Sequence, residues 1–230
     1  MKTVNLADRD IRQRDLVPPD RLGRCHAIVI GVGAVGRQVA LQLAATGVPA
    51  LSLYDPDTVN VENLAVQGFR ESDVGTAKVA AVADACRQQF SRLALRTHQE
   101  RFRKSSARGW PGDRDIAVFC CVDAIETRKL IWESVRATAA FFVDGRMNAE
   151  VVRVLASGRP ALDAAYSATL FAAGEAFAGA CTARSTIYSA NIAAGLMVGQ
   201  FARWLRGLPV IADQTINLFA AEFSASDAVR

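Results

Sequence analysis

The stretch Gly31-Val32-Gly33-Ala34-Val35-Gly36 and the residues that follow it to Lys78 have the types and spacing of a nucleotide site. Gly31 would permit a tight turn, Gly33 the approach of a phosphate to the backbone, and Gly36 close packing of a helix on a strand. The free amides at that helix start would face an anion. Asp55 follows the apolar run Ala50 to Tyr54, which puts a carboxylate where a ribose would lie. Asp57, Asn60, Glu62 and Asn63 crowd the next few positions. They read either as holders of ribose hydroxyls, phosphate and metal ligands, or as an Asx-rich turn. Lys78 falls in the first turn of a predicted helix, where its charge opposes the helix dipole unless a phosphate is near. An ordinary exposed lysine is the other reading. Asp123 stands at the carboxyl end of an apolar strand, where open α/β sheets bind ligands. Cys181 directly precedes a predicted helix, a place that favours its thiolate, with Arg184 to help. A small buried filler is the alternative.

The elements that must position these residues follow from periodicity. Strands are expected at Ala27 to Ile30, Ala50 to Tyr54, Leu93 to Thr97 and Asp115 to Cys121, with more at Phe141 to Asp144 and, after a turn at Gly145, Met147 to Leu155. A last strand is expected within Thr215 to Phe223. Helices are expected from Ala34 to about Ala45, closed by Gly47, then Thr76 to Phe90, one that continues from the Asp123 segment to about Ala139, and about 185–206. Asp8 to Asp15 reads as a short helix or an extended arm. Strands alternating with helices predict an α/β fold: a Rossmann-like, mostly parallel sheet with helices on both faces, and antiparallel strands and a crossover loop toward the C-terminus. The division expected is an N-terminal arm, 1–24, and a nucleotide-binding domain, 25–230, whose crossover loop covers about 156–184. That loop is rich in small residues, and long loops are commonly functional.

Composition narrows the classes. The chain has 230 residues, 51% hydrophobic and 22% charged, enough for one domain with a real core. Its 27 Lys+Arg against 23 Asp+Glu leave a net charge of +4, which suits an anionic ligand or an acidic partner. No stretch combines basic runs with interleaved aromatics, so nucleic acid is not expected. Five cysteines form no CxxC pair, so no structural zinc is expected. Their odd number, with no signal peptide, reads as reduced thiols in a cytoplasm. The most apolar stretch, Ile187 to Leu205, is interrupted by Asn191, Gln200 and Arg203 and reads as a buried or subunit-facing helix, not a membrane span.

Taken together, these residues resemble the ThiF/MoeB superfamily of ubiquitin-activating-enzyme-like adenylyltransferases. Arg9-Asp10-Ile11-Arg12-Gln13 is similar to the family's arm, and the glycine loop follows. Asp55, Asp57, Val59, Asn63 and Leu64 match the next box, Val74-Gly75-Thr76-Ala77-Lys78 the third, and Asp123 with Arg128 the fourth. The resemblance implies ATP- and Mg²⁺-dependent adenylation of the C-terminal carboxylate of a ubiquitin-like or sulfur-carrier protein ending in glycine. It implies a phosphate cradle at Gly31, Gly33 and Gly36, and Asp55 on the ribose. Asp57 and Gln67 would complete the nucleotide set, Asn63 and Lys78 would meet phosphates, and Asp123 would hold Mg²⁺. Arg12 would reach the partner's ATP in a homodimer, and Cys181 would carry a thioester if the reaction goes that far. The chain departs from the family at Val66, where an arginine is usual, and at Ala124, where an asparagine is usual. Arg70 is a candidate substitute for the first. Val66 favours an alternative, a scaffold that binds a ubiquitin-like partner without adenylating it. The glycine loop and Asp55 would equally serve an NAD(P)-dependent oxidoreductase, but such a site requires neither Lys78, Asn63 nor the Arg12-Gln13 arm.

Overall fold

The computed structural model describes residues 9–170 and 185–227. Its parallel strands are β1 (Cys25–Ile30), β2 (Ala50–Tyr54), β3 (Ala94–His98), β4 (Asp115–Cys120) and the first half of β5 (Phe141–Asn148). On its other side β5 pairs antiparallel with β6 (Val151–Ser157) from Phe142 to Asn148, and β7 (Asp213–Asn217) and β8 (Glu222–Ser226) continue this antiparallel extension. All join one 8-stranded sheet in the order β3-β2-β1-β4-β5-β6-β7-β8. Strand β1 is buried at every position because helices cover both faces, and a strand so placed must be apolar throughout.

One face carries α2 (Ala34–Thr46), α4 (Lys78–Gln89) and α6 (Ile187–Leu205), whose Val39, Val82 and Met197 share one buried apolar cluster with Ala27 and Val29. The other carries α5 (Ile125–Val135), whose Ile131 and Trp132 pack on Ile28 and Phe142. Among the described residues there are also two short α-helices, α1 (Pro19–Leu22) and α3 (Asn63–Gln67). Strand β1 lies between β2 and β4, so the chain leaves it in opposite directions and opens a crevice at the carboxyl ends of β1 and β4.

The expected α/β architecture is present, and β2 has the predicted limits. Gly47 closes α2 in the left-handed conformation, φ 88°. Several local readings need correction. Gly145 is not a turn: β5 runs through it to Asn148, because Gly145 lies against Met197 of α6, which leaves no room for a Cβ. The reversal comes at Ala149-Glu150, with Ala149 at φ 53°. Helix α5 ends at Val135, short of Ala139, and the third strand is shifted one residue to Ala94–His98. Residues 9–16 form turns where a helix or extended arm was expected, and the helical turn starts instead at Pro19, whose ring suits that first position. Ile187–Leu205 is a helix buried against α2, β5 and β6, and no helix among the described residues is long and apolar enough to cross a membrane.

Candidate functional site

The glycine turn joins β1 to α2 and is fixed by its neighbours. Gly31 takes φ 84°, a conformation that side chains rarely adopt, and a Cβ there would lie 2.8 Å from the Cys121 carbonyl oxygen. A Cβ on Gly36 would overlap the Gly31 carbonyl oxygen, so turn and helix touch backbone to backbone. The turn is also anchored by Gly31 N–H donating to the Tyr54 carbonyl at 2.8 Å.

Asp55, 6% exposed, belongs to this turn. Its Oδ2 accepts from Val32 N–H at 2.8 Å and its Oδ1 from Asp57 N–H at 2.9 Å. Burial raises its pKa, and those two N–H donors and the Lys78 charge oppose the rise. Asp57 in turn meets Lys78 twice: its carbonyl accepts from Lys78 N–H at 2.9 Å, and its Oδ2 lies 3.1 Å from Lys78 Nζ. Lys78 is therefore not an idle exposed lysine but a buried one, 7% exposed, with a carboxylate that offsets the helix dipole. Asn63 opens α3 and accepts from Asn60 N–H through Oδ1 at 3.0 Å. Thus an Asx turn does form at Asp55, Asn63 reaches back three residues instead, and Asp55 is in contact with the glycine turn as well. On α3, Gln67 faces Gly33: a Cβ there would stand 3.8 Å from both side-chain heteroatoms. Its Oε1 is buried and has no hydrogen-bond partner.

Asp123 lies just past β4, across the turn from this cluster, since Cys121 and Val122 abut Gly31. It is exposed, and its Oδ1 accepts from Ala124 N–H at 2.8 Å. The other oxygen can face a ligand, a donor that suits a hard cation such as Mg²⁺ bound mainly through phosphates. Among the described residues no group of three or more His, Cys, Asp and Glu forms a ready-made metal cage.

Three candidates stand elsewhere. The arm folds back on the C-terminal end of α2, where Arg9 donates to the Ala44 and Ala45 carbonyls at 3.0 and 2.7 Å and Gln13 to Thr46 at 2.8 Å. Arg12, between these anchors, is exposed and makes no ion pair among the described residues. It is thus separated from its own glycine turn by the length of α2, about 20 Å for that many residues. Arg70 points to Asp84 and Gln88 of α4, at 3.4 and 3.3 Å, not to the glycine turn. Cys181 lies outside the described residues. Cys120 is buried in β4, and the Cys121 thiol is enclosed under the glycine turn; burial raises both pKa values.

The sequence reading missed a buried polar cluster behind Asp123. Asp144 is fully buried in β5, beside Cys120 of β4. Its Oδ1 accepts from Arg128 Nη1, and its Oδ2 from Arg146 Nε at 2.7 Å and the Tyr166 hydroxyl at 2.9 Å. Arg128 also donates to the Val122 and Gly145 carbonyls. Arg146 also donates to the Thr169 carbonyl and hydroxyl, at 3.1 and 2.8 Å. A carboxylate closing the apolar run Phe141 to Val143, as Asp55 closes its own, was the available signal.

Comparison with known proteins agrees with this geometry. The ThiF family model matches residues 7–227. An adenylyltransferase and sulfurtransferase MOCS3 of Dictyostelium discoideum is 31% identical over 140 residues, 57% of this chain and 33% of that protein. The NEDD8-activating enzyme E1 catalytic subunit of Caenorhabditis elegans is 31% identical over 121 residues, 49% of this chain and 26% of that protein. The chain thus spans a third or less of the length of these curated relatives. Among solved structures, PaaA superposes with TM-score 0.74 at 20% identity, covering 96% of this chain and 69% of that one. Escherichia coli MccB with ATP superposes with TM-score 0.72 at 17% identity, covering 97% and 72%. At that identity they establish the fold alone. With nearly its whole length inside the family model, the chain belongs to the ThiF family.

Proposed function

We propose that this chain adenylates the C-terminal carboxylate of a ubiquitin-like or sulfur-carrier protein with ATP and Mg²⁺. One observation carries the reading: Asp55 is bonded to the glycine turn, and Asp57 brings the buried amine of Lys78 to the same rim. A dinucleotide site needs the first half of that arrangement and not the second. Relatives named as adenylyltransferases and an E1 subunit support the same reaction class.

In this reading the amides of the glycine turn and the unpartnered Gln67 Oε1 line the nucleotide, with Asp55 at the ribose. Lys78 exchanges Asp57 for phosphate oxygens, and Asn63 turns its amide toward them. Mg²⁺ held by Asp123 supplies neutralisation of phosphate charge. A carboxylate oxygen of the protein substrate attacks the α-phosphorus, the bond to the bridging oxygen breaks, and pyrophosphate leaves. The chain's contribution is positioning and charge stabilisation. Because Arg12 is remote from its own glycine turn, a homodimer in which it reaches the other copy's nucleotide is the arrangement that would use it. Cys181 would then take the acyl group as a thioester and release AMP. The expected location is cytoplasmic.

The test is exchange of labelled pyrophosphate into ATP, with small proteins ending in Gly-Gly as substrates. Exchange is expected with the wild type and lost with Asp123→Ala and Lys78→Ala. A thioester would show as a reducible adduct absent from Cys181→Ala. The second reading, a scaffold, is favoured by Val66 on α3 and by Arg70 being held on α4. Retained partner binding with no exchange and no ATP-dependent thermal shift would establish it.

A further inference from the structure

The short connection from β4 to α5, which carries Asp123, has few holds of its own. Cys121 N–H bonds the Ile30 carbonyl at 2.8 Å and Ala124 N–H bonds the Asp123 side chain; Arg128 provides two more, its backbone N–H bonding Ala124 O at 3.1 Å and its guanidinium taking the Val122 carbonyl. That guanidinium is almost wholly buried, so its direction is set by its charged partner, Asp144. Asp144 is in turn held from the far side by Arg146 and Tyr166, and Arg146 reaches on to Thr169. An unbroken series of hydrogen bonds therefore runs from the segment after β6, through Asp144 and Arg128, to the peptide next to Asp123. Two guanidinium groups share one carboxylate, which leaves a net positive charge beneath that peptide.

We infer that Asp144 is a positioning residue for Asp123, acting through Arg128 and the Val122 carbonyl to present that carboxylate to the metal-bound phosphates of the nucleotide. The inference rests on the adenylation reading for the ligand but not for the bracing itself. Hydrogen exchange of the Asp144→Asn protein tests the bracing without any ligand. The amides of Ala124 and Arg128 should accelerate about tenfold more than those of α2, which report any loss of global stability. Calorimetry with ATP, with and without Mg²⁺, tests the consequence. The tighter binding that Mg²⁺ confers on the wild type should fall several-fold in Asp144→Asn, and affinity for metal-free ATP should not change. In an Asp123→Ala background the same substitution should have no further effect. If Asp144→Asn does not fold, Tyr166→Phe, which removes one of the bonds to Oδ2, should show the same pattern at smaller amplitude. Uniform acceleration of exchange across the chain, or an unchanged Mg²⁺ gain, would overturn the inference. A wild type that binds ATP in neither condition would overturn the adenylation reading instead, and the exchange experiment would still decide the bracing.

Discussion

Two charged clusters flank the glycine turn, and they hold their cations differently. Lys78 is paired with Asp57, whose side chain is 60% exposed. Arg128 and Arg146 are paired with Asp144, whose side chain is 0% exposed. An exposed partner costs little to leave, since water replaces it, so Lys78 can be handed to an incoming phosphate. A fully buried carboxylate between two guanidinium groups has no such substitute, and neither cation can leave without stranding charge in the interior. The first cluster is suited to exchange partners and the second to stay fixed.

The sharpest way to break this contrast is to delete the buried carboxylate. Asp144→Ala is expected to destabilise the fold by about 3–5 kcal/mol, read by urea denaturation, because it leaves two cations unpaired. A loss under about 1 kcal/mol would mean that water reaches the cluster and the contrast is false. A third case sharpens it: a buried titratable group with no carboxylate at all. His26 is 5% exposed, bonds Ser52 at 2.9 Å, and has its pKa lowered from 6.5 to about 4, by burial first and then by Arg96 and Arg114. Its folded value lies below its unfolded one, so the unfolded chain takes the proton first. Stability should therefore be full above pH 6.5 and fall as the pH drops toward 4, by on the order of 3 kcal/mol. A His26→Gln chain should show a shallower acid transition in pH-dependent denaturation.

Gly36→Ala probes the foundation of the exchangeable cluster, which is steric and not ionic. Its Cβ would overlap the Gly31 carbonyl, so a loss of about 3 kcal/mol in Tm-derived stability is expected, with loss of ATP binding. The smallest effect belongs to Asp57→Asn. Stability should change by about 1 kcal/mol or less, while ATP affinity shifts and salt dependence of stability weakens.

The two clusters also differ in how readable they were. Asp55, Asp57 and Lys78 are tied to glycines and strand ends within a short stretch, so local pattern and family resemblance named them together. Asp144 was visible only as the end of an apolar run, and Gly145 after it suggested a turn. What decides otherwise is Met197, far along the chain on α6, whose packing wants a glycine in mid-strand. Tyr166 and Thr169 come from a segment with no periodicity, so nothing in its pattern joins them to β5. The parallel core was legible because burial on both faces forces continuous apolar runs. The turn of Arg70 toward Asp84 was not, since an exposed arginine has many equivalent partners.

The placement of β8 has a mechanical consequence. It is the edge strand of the sheet beside β7, and Ser226, at its C-terminal end, pairs with Asp213, the residue of β7 farthest from the hairpin turn. A pull on the chain beyond Asp227 would load that pair first and then each next pair in turn, peeling the strand off at low force. The parallel strands β1, β2 and β4 each lie between two neighbours and would have to be sheared loose from both at once. A processive machine pulling from that side would strip β8 and β7 early and meet its first real resistance at α6, which is buried against α2, β5 and β6 and precedes β7 in the chain.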